Sequence, residues 1–249
     1  MISVMQAQNA ITTTITKGKE VTLSISESLG CVLAENLICP IDLPPFHQSG
    51  VDGYAFRYED YKNDNPITII GESSAGKSFS GEIGAMQAVR IFTGAEVPVG
   101  ADTIVMQEKV TVAADILQIN DEQIVSGANV RPQGSHIKKH DSALTRGKVI
   151  NAGTISFLAS MGFACVKVYA KPRVSIIITG DELQQPGESL SAGQVYESNS
   201  VCLCAALQSM GITDVNVLYA ADEESATRAS FLQAVTDADF VLFTGGISV

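Results

Sequence analysis

"ITIIGESSAGKSFSG", residues 67–81, decides the fold, because it carries Gly71, Gly76, Lys77 and Ser78 in the G-x-x-x-x-G-K-S spacing behind an apolar run. In a nucleotide-binding P-loop, backbone amides wrap the phosphates, the lysine reaches the terminal ones and the serine hydroxyl holds magnesium. That geometry needs a helix beginning at the Lys-Ser pair, whose N-terminus supplies aligned amide donors and the positive end of a dipole. The chain instead continues "FSGEIGAMQAV", which puts Gly81 and Gly84 into the first two turns, each costing about 1 kcal/mol against alanine. A P-loop enzyme also brings a later apolar strand ending in a metal-binding aspartate. The two best later strands run instead into Thr179-Gly180 and Thr244-Gly245. The stretch reads as a Gly/Ser-rich β-turn loop, with a P-loop NTPase as the alternative.

Around this loop, from residue 43 to about 126, short β-like runs ("ITII", "AVRIFT", "TIVMQEKVTV", "ILQI") alternate with Gly/Pro turns, which is the pattern of a compact β-rich domain. Upstream, an amphipathic opening helix is followed by "SLGCVLAENLI", read as a packed helix and turn. Pro40, Pro44 and Pro45 then break regular structure. Downstream, residues from 127 begin irregularly, a helix runs through "TISFLASMG" into a strand "CVKVY", and Lys171-Pro172 marks a boundary. Beyond it the rhythm is strand 174–178, helix 199–210, strand 215–219, helix 223–236, strand 240–243. Strands separated by helices imply a parallel sheet. The fold class is therefore multi-domain, α+β and α/β.

The chain has 249 residues, 45% hydrophobic and 17% charged, as in globular proteins. A net charge of −11 argues against a nucleic-acid partner. The five cysteines, Cys31, Cys39, Cys165, Cys202 and Cys204, lack zinc or redox spacing and are expected to be reduced core thiols in a cytoplasm. No apolar run approaches the roughly 18 residues of a membrane span, and the N-terminus lacks the basic start and apolar stretch of an export signal. A soluble, cytoplasmic protein without a membrane partner is expected.

Ligands of parallel sheets bind outside the carboxyl ends of the strands, where this chain carries "TGDEL" and "TGGISV". The two loops are expected side by side. Thr179, Asp181 and Glu182 are candidates for holding a metal or orienting a polar ligand, although Asp181 also suits turn or helix capping. The paired Gly245 and Gly246 let backbone amides approach an anion. His136 and His140 flank Lys138 and Lys139, and two lysines repel a cation, so that run reads as a solvated face.

Six motifs, "PPFHQSGVDGYAFR", "RIFTGAEVPVGADTIVMQE", "NVRPQG", "TGDEL", "GQVYESNS" and "TGGISV", in this order and spacing, resemble the molybdopterin molybdotransferase family, the MoeA-type enzymes and the gephyrin E domain. The resemblance implies three domains: an elongated first domain from residues 1–42 plus 127–171, a β-rich second domain from 43–126, and a partial α/β molybdopterin-binding domain from 172–249. It implies insertion of molybdate into adenylylated molybdopterin with release of AMP in a magnesium-dependent step. It also implies a homodimer and molybdopterin adenylyltransferase as a functional partner. Asp52, Thr93, Glu182 and Asp222 take the places of the family's catalytic residues, with Glu182 and Asp222 as the metal carboxylates. Thr179, Gly180, Asp181, Gly245, Gly246 and Ser248 take its cofactor-binding positions. Asp52 otherwise suits a turn, and Asp222 a helix N-cap.

Two departures stand out. Ser135-His136 replaces the family's Glu-Asp pair, and "TGGISV" ends the sequence where the family continues with more of the α/β domain. The resemblance therefore implies a truncated chain with part of its pocket missing, for which a non-catalytic pterin-binding or scaffold fragment is the alternative.

Overall fold

The computed structural model describes residues 2–62 and 66–245. Two compact units emerge: one comprises the chain up to Glu35 together with Arg146–Ala159 and Phe163 onward, the other Asn36–Thr145 with Ser160–Gly162.

The second unit is built on a six-stranded sheet in the order Thr103–Met106, Gly53–Phe56, Gln87–Ile91, Ile67–Ser73, Ile116–Ile119, Val110–Ala113. Neighbours are antiparallel except Ile67–Ser73 and Gln87–Ile91, which run parallel around a register shift between Ile69 and Gly71. Successive side chains of a strand point to opposite faces. Both faces are buried here. Ala55, Val89 and Ile104 pack with Ile83, Ile91 and Ala95 on one side, while Phe56, Ala88 and Val105 pack with Ile67, Leu117 and Ile124 on the other.

The P-loop spacing forms no nucleotide loop. Ser74 and Lys77 exchange backbone hydrogen bonds of 3.0 and 2.9 Å, closing a tight turn with Gly76 at φ +78°. No helix follows, and the Ser78 hydroxyl donates to Glu96 Oε2 at 2.7 Å. The Lys77 amide is spent inside the turn and the Ser78 hydroxyl on Glu96, although a phosphate cradle needs both.

In the first unit the opening helix is Val4–Thr14, started by a capping box between Ser3 and Gln6. The packed helix expected over "SLGCVLAENLI" is replaced by two short strands, Val32–Leu33 in this unit and Leu37–Ile38 in the other. Gly30 at φ +74° turns the chain, and Val32–Leu33 then pairs with the edge of Cys165–Tyr169, a tertiary ladder that outweighs local helix preference. Glu20–Ser24 flanks the other edge of the same strand, and the expected helix precedes it as Ala152–Ser160.

The α/β part follows the expected rhythm with ends shifted by a residue or so: strand Val174–Thr179, helix Asn199–Ser209, strand Val215–Ala220, helix Glu224–Asp237, strand Phe240–Thr244. All three strands are parallel, with Val174–Thr179 in the centre. Its central position explains the run "VSIII", apolar but for the buried Ser175 and buried on both faces. Val174, Ile176 and Ile178 pack on Leu207 of the first helix.

The cysteines are free, but only Cys31 and Cys39 are buried; Cys204 is half-buried, and Cys165 and Cys202 are exposed. The expectation of core thiols fails for those two, since neither strand nor helix is covered on the faces that carry them. No helix among the described residues is long and apolar enough to cross a membrane.

Candidate functional site

The sequence-derived candidates fall into two groups, one in each unit. In the β-rich unit, the Ser49–Asp52 turn leads into Gly53–Phe56, and Thr93 follows the neighbouring strand Gln87–Ile91. The antiparallel register Gly53↔Ile91 brings Asp52 against Thr93 although 41 residues separate them. Thr93 donates its backbone N–H and its Oγ1–H to the same oxygen, Asp52 Oδ1, each at 2.7 Å. These bonds, backbone first, hold the Asp52 carboxyl below its ordinary value of 3.8; partial burial opposes them and the charge of Arg90 adds to them. The turn itself is closed by Ser49 Oγ, which donates to Val51 O at 2.6 Å. Asp52 is thus a turn residue and a prepared acceptor at once.

In the other unit, the loops after the parallel strands meet as expected. Thr179 Oγ1 donates to Thr244 O at 3.1 Å, and a Cβ on Gly245 would stand 2.5 Å from that hydroxyl. Asp181 Oδ1 accepts the Asp222 backbone N–H at 3.3 Å, joining the loops after the central strand and Val215–Ala220. Gly180, at φ +144°, lies under the Glu182 carboxylate, whose oxygens would come within 2.8 and 3.0 Å of an added Cβ. A cleft of about 320 Å³ opens beside this turn, with Asp181, Gln185 and Tyr219 among its walls. Asp222 and Glu224 edge a second hollow of about 390 Å³ with Arg228 and Phe231. Glu223, not Asp222, is the N-cap of the helix Glu224–Asp237, and it makes no side-chain cap bond. Gly246 and Ser248 lie outside the described residues.

Thr179, Gly180, Asp181, Asp222 and Gly245 therefore share the carboxyl end of one sheet, with Glu182 folded over it. Among the described residues no three His, Cys, Asp or Glu side chains converge as a preformed metal site.

The sequence comparisons place this geometry. Residues 2–162 match the family described as "MoeA N-terminal region (domain I and II)". The chain belongs to the MoeA family. Residues 175–249 match a second description, "Probable molybdopterin binding domain". Similar MoeA-family relatives include a molybdopterin molybdenumtransferase of Haemophilus influenzae, 35% identical over 91% of this chain and 56% of that protein. Molybdopterin molybdenumtransferase 2 of Mycobacterium tuberculosis is 31% identical over 100% of the chain and 62% of its own length. The crystal structure of a molybdopterin biosynthesis MoeA protein from Pyrococcus horikoshii superposes with a TM-score of 0.79 at 29% identity, covering 99% of this chain and 64% of that one. The chain thus spans less than two thirds of the length of each of these relatives.

Two side chains in the MoeA motifs were not singled out from sequence. Arg90 opens "RIFTGA" and lies beside the Asp52–Thr93 pair, close enough for its charge to act on Asp52. Glu197, in "GQVYESNS", is 1% exposed and accepts from the backbone N–H of Ser200 at 2.8 Å and from its hydroxyl at 2.5 Å, capping the helix Asn199–Ser209.

Proposed function

We propose that this chain acts in molybdenum cofactor biosynthesis as a molybdopterin molybdotransferase, inserting molybdate into adenylylated molybdopterin with release of AMP. The observation that carries this reading is the Asp52–Thr93 pair. It joins the two longest family motifs through two short bonds to one carboxylate oxygen, with Asp52 half-buried and Thr93 exposed. The relatives' names support molybdenum transfer to molybdopterin; the adenylylated substrate and the release of AMP are what the family resemblance implies.

Magnesium enters this reading with the substrate. Mg²⁺ retains several waters and takes one or two carboxylates together with substrate phosphates, so Glu182 and Asp222 would be the carboxylates that hold it without a preformed cluster. When bound, it would offset charge on the phosphoanhydride that is cleaved. Further parts of the proposal are the three-domain division at residues 1–42 plus 127–171, 43–126 and 172–249, a homodimer in which the β-rich domain of one subunit serves the α/β domain of the other, molybdopterin adenylyltransferase as functional partner, and a cytoplasmic location.

The test is AMP release from adenylylated molybdopterin with and without molybdate, in the presence of magnesium. Molybdate-dependent AMP supports the proposal; bound substrate without AMP sinks it. That second outcome is the behaviour of a non-catalytic molybdopterin-binding protein, a reading favoured by Ser135-His136 in place of the family's acidic pair.

A further inference from the structure

Arg90 sits directly opposite Tyr54 in the antiparallel pairing of Gly53–Phe56 with Gln87–Ile91. Its guanidinium lies 5.0 Å from the Tyr54 ring centroid and 5.0 Å from that of Phe92. Nη1 donates to Gly53 O at 3.2 Å, and Nη2 donates to Gln107 Oε1 at 2.5 Å. Gln107 in turn donates its backbone N–H to Asp52 O at 3.1 Å. Gly53 is the residue after Asp52, and Phe92 is the residue before Thr93. One cation therefore fastens the chain neighbours of both members of the pair, and through Gln107 the backbone of Asp52 itself.

We propose that Arg90 is the positioning residue of the Asp52–Thr93 pair, fixing the two chain segments that carry it so that Asp52 Oδ2 is presented to a cation or hydrogen-bond donor of the substrate. Both bonds from Thr93 converge on Oδ1, and among the described residues no hydrogen bond reaches Oδ2. A planar guanidinium suits this role because it stacks on aromatic faces and donates in a fixed fork, which an ammonium cannot do. Its field also favours the ionised carboxylate, so Asp52 is held as an acceptor. The other titratable groups nearby are Tyr54 on the same strand and Glu108, which accepts from Gln107 Nε2 at 3.0 Å and lies beyond that amide. The proposal rests on reading Asp52 as a functional carboxylate.

The test is a carboxyl-carbon NMR titration of the full chain labelled at aspartate Cγ, with Asp52→Asn to assign the signal. Arg90→Met is expected to move the Asp52 midpoint upward, Arg90→Lys to restore it only in part, and Gln107→Ala to move it by a smaller amount with the charge intact. If Arg90→Met does not fold, the other two variants decide, since Arg90→Lys keeps a cation beside the Tyr54 and Phe92 rings and Gln107→Ala keeps Arg90 itself. An Asp52 midpoint unchanged in all folded variants would overturn the proposal and leave Arg90 a packing residue. If the midpoint moves while Asp52→Asn leaves AMP release unchanged, the positioning role stands and the functional reading of Asp52 fails.

Discussion

Thr93 gives both of its donors to one oxygen of Asp52, at 2.7 Å each, across two strands that the sequence places far apart. The hydroxyl bond is separable from the amide bond. Thr93→Val keeps the shape and the amide but deletes the Oγ1 donor, whereas Thr93→Ser keeps both. Thr93→Val is expected to raise the Asp52 midpoint and to lower AMP release on the order of 100-fold through misplacement of the carboxylate. Thr93→Ser should retain most of the activity. Initial rates of AMP formation for the two variants check this, and equal rates would remove Thr93 from the site.

Gly180 and Glu182 make the complementary case in the α/β part. Gly180 holds φ +144°, a region that only glycine adopts without strain, and the Glu182 carboxylate occupies the space a side chain would need. Gly180→Ala is expected to destabilise the fold by about 1–3 kcal/mol and to displace the Glu182 carboxylate. Urea unfolding measures the first effect, and calorimetric titration with the magnesium-bound adenylylated pterin measures the second. Weakened binding is expected to exceed the loss in stability, because Ile178 and its neighbours remain packed beneath the turn.

The parallel sheet was legible because its central strand is buried on both faces and so reads as a nearly continuous apolar run, while the helices between strands set the direction of the crossovers. The meeting of "TGDEL" with "TGGISV" at Thr179 and Gly245 follows from that topology alone. The Asp52–Thr93 contact was not readable from spacing. It depends on the register Gly53↔Ile91, which pattern reasoning does not fix, and the two residues were named only through the family motifs. Arg90 escaped notice for a related reason: a cation in a mostly apolar strand gains meaning only from the Gly53 carbonyl and Tyr54 ring that the neighbouring strand brings to it. The misread helix over residues 28–38 shows the converse, a locally plausible pattern overridden by a strand partner more than a hundred residues away.

Lys77 tests the exclusion of nucleotide chemistry. Its backbone is consumed in the turn with Ser74, and the neighbouring Ser78 is held by Glu96. Lys77→Ala is therefore expected to change neither thermal stability nor AMP release appreciably, and the unmodified chain should show no saturable binding of Mg-ATP in calorimetry at residues 71–78. Loss of ATP binding on this substitution would restore the P-loop reading.

Acid stability has one predictable contributor at the amino end of the central strand. Asp239 Oδ2 accepts the Arg173 backbone N–H at 2.9 Å, and its other oxygen faces Arg173 Nη2 at 3.3 Å. The backbone bond and then the side-chain bond from Arg173 hold the Asp239 carboxyl below its ordinary 3.8. Since the folded state holds this proton less tightly than the unfolded state, the unfolded chain binds more protons between the two values, and stability rises with pH there. The contribution is complete above about pH 4 and is lost as pH falls through the folded value. Asp239→Asn should lower stability by a constant, small amount from pH 5 to 7, because both side chains are half exposed, 52% and 51%. The difference should shrink toward zero below the folded value, and it should narrow in high salt as screening weakens the pair. Urea titrations across pH 2–7 read this directly. A difference that instead grows on acidification would mean that the substitution disrupts the pairing of Val174–Thr179 with Phe240–Thr244 rather than a charge interaction.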